Sequence, residues 1–255
     1  MVKKMIYWII TGICILTMVY SGIQLIRIGL EYKAGKDYYN GAVSEYVSSG
    51  EPDAEKNTKG NSGKNETVAP ISVNFDDLCR DYPDVIGWLY CEDTPINYPI
   101  LQGKDNEKYL NHLMDGSYDK AGSLFLDYRC SKDFTSYNSI IYGHKRKDRS
   151  MFGSLEKYKK QDYYDAHPVF WLLTPEQNYR SPLIAAYTIP ENDAFYNSID
   201  EEADISKYVK RALKNSTFRS DYDISDLDRI ISFSTCAYDY EGARFVVIGS
   251  CVPTS

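Results

Sequence analysis

Ile230-Ile231-Ser232-Phe233-Ser234-Thr235-Cys236-Ala237-Tyr238-Asp239-Tyr240-Glu241-Gly242-Ala243-Arg244-Phe245-Val246-Val247-Ile248 sets two apolar runs on either side of a polar loop. Both runs are rich in β-branched and aromatic residues, so they read as neighbouring strands. The first ends on a cysteine and the second opens on an arginine, eight residues later across the connection. Positive charge beside a thiol favours the nucleophilic thiolate. A thiol and a guanidinium at facing strand ends therefore form the first chemical constellation in the chain.

The same composition recurs at Val85 to Tyr90, Asn97 to Leu101, Ser123 to Asp127, Ser139 to Tyr142, Val169 to Leu173 and Leu183 to Ile189. With Arg229 to Ser234 and Arg244 to Ser250 this makes eight short strands, separated by turn residues such as Asp-Thr-Pro and Thr-Pro-Glu. So many short strands and so few helical segments predict a mainly β domain, a closed barrel or a sandwich. Helices are expected at Phe75 to Asp81, Asn106 to Leu113, Met151 to Tyr158 and Ile205 to Asn215, the last with Ile205, Val209, Ala212 and Leu213 on one face.

Before the strands begin, Met5 to Ile26 runs without a charged residue. At 1.5 Å per residue it covers roughly 33 Å, enough for a bilayer core. The run is long for a cleaved signal and Tyr20-Ser21-Gly22 is a poor cleavage site, so residues 5–27 read as an uncleaved anchor. Lys3 and Lys4 precede it, and the positive-inside rule then puts residues 1–4 in the cytoplasm and the remainder outside. Residues 28–70 form a juxtamembrane helix followed by a segment, Ser48 to Pro70, almost devoid of large apolar side chains, which reads as a flexible linker. Residues 71–255 are left as one domain large enough for its own core. The net charge of −7 argues against a nucleic-acid partner.

Of six cysteines, Cys14 lies in the apolar run, and Cys79, Cys91, Cys130 and Cys251 read as small buried apolar residues. No CxxC or HxxxH spacing occurs, so no metal site is expected. Cys236 needs a proton carrier, and the chain offers three histidines. His112 falls in an expected helix and His167 at a helix-to-strand junction, both structural or surface positions. His144 follows the apolar strand Ser139-Ile140-Ile141-Tyr142 through a single glycine, where it can work in a groove.

Together Tyr142-Gly143-His144-Lys145-Arg146-Lys147-Asp148-Arg149-Ser150-Met151-Phe152-Gly153-Ser154-Leu155, Ser232-Phe233-Ser234-Thr235-Cys236 and Arg244 resemble the signature set of sortases, membrane-anchored cysteine transpeptidases of Gram-positive cell envelopes. Class B is the particular resemblance, through PDVIGWLYCEDTPINYPILQG, KYLNH, AGSLFLDYR and a long helical insertion before the cysteine strand. One departure is Ser232-Phe233, where relatives often carry Thr-Leu; Phe233 is expected to point inward as Leu would. The resemblance implies an eight-stranded sortase-type β-barrel with peripheral helices. It implies Cys236 as nucleophile, His144 as acid and base, and Arg244 as the group that holds the substrate carbonyl. The implied partners are surface proteins with a sorting signal similar to Asn-Pro-x-Thr-Asn or Ser/Asn-Pro-x-Thr-Gly, and an amine of peptidoglycan or its precursor. No cofactor is implied. Asn111, Ser234 and Tyr196 fall in segments that resemble substrate-groove regions, although capping, strand or surface roles would also suit them. Alternative functions are a membrane-tethered cysteine peptidase releasing acid products, a pilin-related transpeptidase with a lysine acceptor, and a noncatalytic adhesion module.

Overall fold

A computed structural model describes residues 2–50, 68–197, 202–237 and 239–254. The order of elements is α1 (Val2–Tyr46), β1 (Val47–Ser49), β2 (Ile71–Val73), α2 (Phe75–Asp81), β3 (Val85–Tyr90), β4 (Asn97–Leu101), β5 (Leu124–Leu126), β6 (Asn138–Tyr142), α3 (Gln161–Ala166), β7 (Val169–Leu173), β8 (Tyr179–Pro190), α4 (Glu202–Asn215), β9 (Ile230–Cys236), β10 (Ala243–Ser250) and β11 (Val252–Pro253). Around the main sheet the strand order is β10-β9-β6-β5-β4-β3-β7-β8, and β8 pairs back with β10, so these eight strands close a barrel. Strand β11 continues along the edge of β8 that β10 uses, with Val252 opposite Arg180. Closure leaves the barrel strands without a free edge, which disposes of the exposed backbone groups an open sheet would carry.

Alternation along the strands decides which side chains fill the barrel. Ile100, Leu124, Leu126, Phe170 and Leu172 point to the interior core with Ile140, Phe233 and Val247. Their chain neighbours Leu101, Phe125, Trp171 and Leu173, with Trp88, belong to a second cluster that includes Leu78 of α2 and Ala42 and Tyr46 of α1. Strands buried on both faces read as continuous apolar runs, which is why this half of the barrel was so visible in the sequence.

The eight expected strands are the eight barrel strands; β3, β4 and β7 keep the expected ends and the other five are shifted by one to four residues. Helices differ more. The stretches expected at Asn106 to Leu113 and Met151 to Tyr158 are 3-10 turns, at Lys108–Leu110 and Phe152–Lys159. In α4 the buried stripe is Ile205, Tyr208, Val209 and Ala212, whereas Leu213 is exposed. The spacing i, i+3, i+4, i+7 explains the exchange, since residue 213, at i+8, lies about 40° beyond Val209 at the edge of that stripe.

Helix α1 runs without interruption from the apolar segment to the barrel wall. Lys3–Tyr46 is long and apolar enough to cross a membrane, with its apolar window wholly outside the protein core. Its C-terminal turns are packed: Tyr39, Ala42 and Tyr46 are buried, and the Tyr39 hydroxyl donates to the Gly122 carbonyl oxygen at 2.8 Å. Beyond α1, β1 pairs antiparallel with β2, so the two ends of the expected linker lie side by side. Residues 51–67 of that expected linker lie outside the described residues.

Candidate active site

Register brings the three expected catalytic side chains together. Strands β6 and β9 are parallel neighbours with Tyr142 opposite Ser234. His144 and Cys236 each follow two residues later, so they leave the same end of adjacent strands, which sit about 4.8 Å apart. Strand β10 lies antiparallel on the other side of β9 with Arg244 directly opposite Cys236. Histidine, cysteine and arginine thus occupy three successive positions across one barrel rim, and all three line a cavity of about 350 Å³.

Local bonds hold this rim. Gly143 donates its backbone N–H to the Ser234 carbonyl at 3.2 Å, and the Thr235 hydroxyl donates to the Gly143 carbonyl at 2.8 Å. A Cβ at Gly143 would sit 2.4 Å from Leu124 Cδ2 and 2.7 Å from Phe152 Cδ2, so a larger residue before His144 would force both side chains to shift. The His144 ring donates from Nε2 to the Leu110 carbonyl oxygen, and the His144 carbonyl accepts from Phe152 N at 3.0 Å. Nε2 therefore carries a proton and, in the neutral ring, Nδ1 holds the lone pair.

Arg244 is anchored from two sides. Its Nη2 donates to Glu191 Oε2 at 2.7 Å and its Nη1 to the Ala243 carbonyl at 3.2 Å. Glu191 follows β8, whose Pro190 pairs with Ala243, and its own N–H donates to the Gly242 carbonyl at 2.8 Å. Five guanidinium N–H groups less these two leave three to meet a ligand.

The cavity floor is aromatic: Phe125, Tyr142 and Tyr196, with the Tyr142 and Tyr196 rings stacked at 6.2 Å between centroids. Tyr196 shares a hydrogen bond of 2.8 Å with the Ser234 hydroxyl. Burial pushes both phenols well above the usual tyrosine range, so they are neutral hydrogen-bonding groups. Beneath them lies Asp127, fully buried, which accepts from the Arg129 N–H at 3.0 Å, Nε at 2.9 Å and Nη2 at 2.7 Å, from Asn106 Nδ2 at 3.0 Å and from the Tyr142 hydroxyl at 3.0 Å. Burial alone would raise its pKa, but the Arg129 bonds outweigh it and hold the carboxyl below its ordinary value. Arg129 Nη2 also donates to the Tyr196 carbonyl at 2.8 Å, which ties the network to the loop bearing Tyr196.

Ser234 and Tyr196 therefore stand in the cavity wall, whereas Asn111 is exposed and does not line it. Asn111 works through its backbone, its carbonyl accepting from Asp119 N at 3.0 Å. Its neighbours Asn106 and Leu110 line the cavity instead, as does Glu191; sequence reading missed all three. Its place inside Lys108-Tyr109-Leu110-Asn111-His112 was a usable signal for Leu110. Glu191 carried none, because only the β8–β10 pairing brings it to Arg244.

The other titratable candidates lie elsewhere. His112 Nδ1 meets the Lys108 carbonyl and His167 Nδ1 the Glu92 carbonyl, neither in the cavity wall. All six cysteines are free. Burial pushes the Cys91 thiol up to about 11 and the Cys251 thiol up to about 12, which keeps them protonated and inert. Cys236 is partly exposed, and its thiol makes no hydrogen bond among the described residues. No group of three or more metal-ligating side chains occurs among the described residues.

A thiol, an imidazole and an arginine on one rim of an eight-stranded barrel define a sortase-type cysteine transpeptidase, and similarity to known proteins specifies the class. The chain is 41% identical over 180 residues to sortase B of Listeria monocytogenes serovar 1/2a, covering 69% of this chain and 73% of that protein. It is 30% identical over 188 residues to sortase B of Staphylococcus aureus, covering 72% and 77%. The crystal structure of sortase B from B. anthracis in complex with AAEK1 aligns with a TM-score of 0.70 at 27% identity, covering 88% of this chain and 99% of that one. No family model matches the chain. The chain belongs to the sortase B family.

Proposed function

We propose that Cys236 attacks the carbonyl of a threonine in a sorting signal similar to Asn-Pro-x-Thr-Asn or Ser/Asn-Pro-x-Thr-Gly, and that the acyl group passes to an amine of peptidoglycan or its precursor. The observation that carries this reading is the register aligning His144, Cys236 and Arg244 at one rim. Solved structures of sortase B hold a substrate in one case, the S. aureus enzyme, and triglycine in another, which supports both an acyl donor and an amine acceptor here.

In the first half-reaction Sγ bonds to the threonine carbonyl carbon while the C–N bond to the next residue breaks. The thiol proton reaches the leaving amine through His144. Arg244, held by Glu191, donates to the carbonyl oxygen as negative charge develops there. In the second, the acceptor amine attacks the thioester, His144 takes its proton, and the thiolate is released. Neither half-reaction calls for a cofactor. With the apolar helix in the membrane and the N-terminus in the cytoplasm, residues 71–255 form the extracellular catalytic domain and residues 28–70 the juxtamembrane segment and linker.

The full chain in detergent, given a sorting peptide and an amine, should yield a threonine product that carries the amine by mass spectrometry, and Cys236→Ala should yield none. A free-acid product at every amine concentration would favour the peptidase instead, and product from Cys236→Ala would overturn the reading.

A further inference from the structure

A second cavity, of about 360 Å³, lies where α1 meets the loop that carries His144. Its wall combines Ile28, Glu31 and Tyr32 of α1 with Asp119, Lys120, His144, Lys145, Arg146 and Lys147. Four cations and two carboxylates line it, and two further carboxylates, Glu156 and Asp148, lie against Lys145 and Arg146. Acids already engage part of this charge: Lys120 Nζ lies 3.0 Å from Glu31 and Lys145 Nζ 2.7 Å from Glu156, while Arg146 lies 3.9 Å from Asp119 and 3.7 Å from Asp148. Lys147 is exposed and has no partner among the described residues.

Arg146 shows that the place is built. Its side chain is only 8% exposed, its guanidinium sits 4.2 Å over the Tyr32 ring, and its Nε, with Asp148 Oδ1 at 3.7 Å, makes no hydrogen bond. An N–H without a hydrogen bond, beside the unpaired ammonium of Lys147, suits an oxygen anion that supplies the missing acceptor. Position identifies the source of that anion. Ile28 lies two residues beyond Ile26, the end of the apolar run, so the cavity opens at the level where a bilayer would present its headgroups.

We propose that this cavity binds the phosphate of an anionic phospholipid headgroup, seating the histidine loop against the membrane surface. This rests on reading the apolar helix as a membrane span. The test uses the full chain in nanodiscs of phosphatidylcholine alone or with phosphatidylglycerol, and follows amide hydrogen exchange over residues 144–150. Phosphatidylglycerol should slow exchange there, and Lys147→Gln should weaken the slowing by about fivefold, the effect of one lysine at an anionic surface. Lys120→Gln, also at an exposed lysine, should weaken it similarly, so the result does not depend on one variant folding. Equal exchange in the two lipids, or slowing that survives both substitutions, overturns the proposal. Inorganic phosphate that reproduces the slowing in phosphatidylcholine discs overturns it in favour of a soluble anion. A chain that fails to co-elute with either disc overturns the membrane reading and this site together, while amine transfer by the same samples reports separately on the proposed chemistry.

Discussion

Replacing Asp127 with asparagine isolates the network under the cavity floor. Asp127 is 0% exposed, and its two oxygens accept five hydrogen bonds, three of them from Arg129. Asparagine keeps the shape but removes the charge and turns an N–H₂ toward donors. Breaking a buried ion pair by removing one partner costs about 3 to 5 kcal/mol. Arg129 is 36% exposed and can recover water, which places the cost at the lower end, about 3 kcal/mol. For a domain of this size that lowers the melting midpoint by about 6 to 12 °C. Thermal unfolding followed by intrinsic fluorescence measures it. Asp127→Asn combined with Arg129→Gln should cost less than the two changes summed, by about 1 to 2 kcal/mol. The pH dependence has a definite sign. Because the carboxyl is depressed in the folded state, its stabilisation is complete above its unfolded pKa of about 3.9 and is lost as pH falls through the lower folded value. Asp127→Asn should therefore flatten the acid limb of the stability curve. Additive costs in the double variant, with an unchanged acid limb, would refute the argument that this pair organises the floor.

Two further outcomes follow from bonds around the site. Tyr39→Phe removes the hydroxyl that donates to the Gly122 carbonyl and meets Ser123 Oγ at 2.8 Å. It should cost about 1 to 2 kcal/mol in thermal unfolding of the full chain, and no change would show that this hydroxyl contributes nothing to holding α1 on the barrel. Glu191→Gln loosens Arg244 from a pair whose side chains are 57% and 29% exposed. Exposed pairs contribute at most about 1 kcal/mol, so kcat/KM should fall no more than about fivefold, and a hundredfold loss would mean that Glu191 meets the substrate itself.

Apolar runs made the barrel legible because its strands are covered on both faces, leaving Val169 to Leu173 or Val85 to Tyr90 almost no polar interruptions. The turns at Lys108–Leu110 and Phe152–Lys159 were harder, since their apolar residues fit a helical period over so short a span that the tighter hydrogen-bond pattern leaves no mark in the sequence. At the site, Cys236 and Arg244 were readable because one short connection joins them. His144 was readable by elimination among three histidines. Asn106 and Glu191 were not, for their roles arise from partners distant in the chain: Asp127, 21 residues on, and Arg244, 53 residues on. The packing of Tyr39 and Tyr46 was hidden for a different reason. Tyrosines are abundant, 24 in all, and one among polar residues does not announce what it lies against.

The unbroken course of α1 sets a rotational phase. A helix turns by about 100° and rises about 1.5 Å with each residue. The apolar stretch and the docked turns at Tyr39 and Tyr46 belong to one helix. The direction in which the rim of Cys236 faces, viewed along that axis, is therefore written in the number of residues between Ile26 and Tyr39. One inserted residue would swing the whole barrel through more than a quarter turn while raising it by less than the width of an atom.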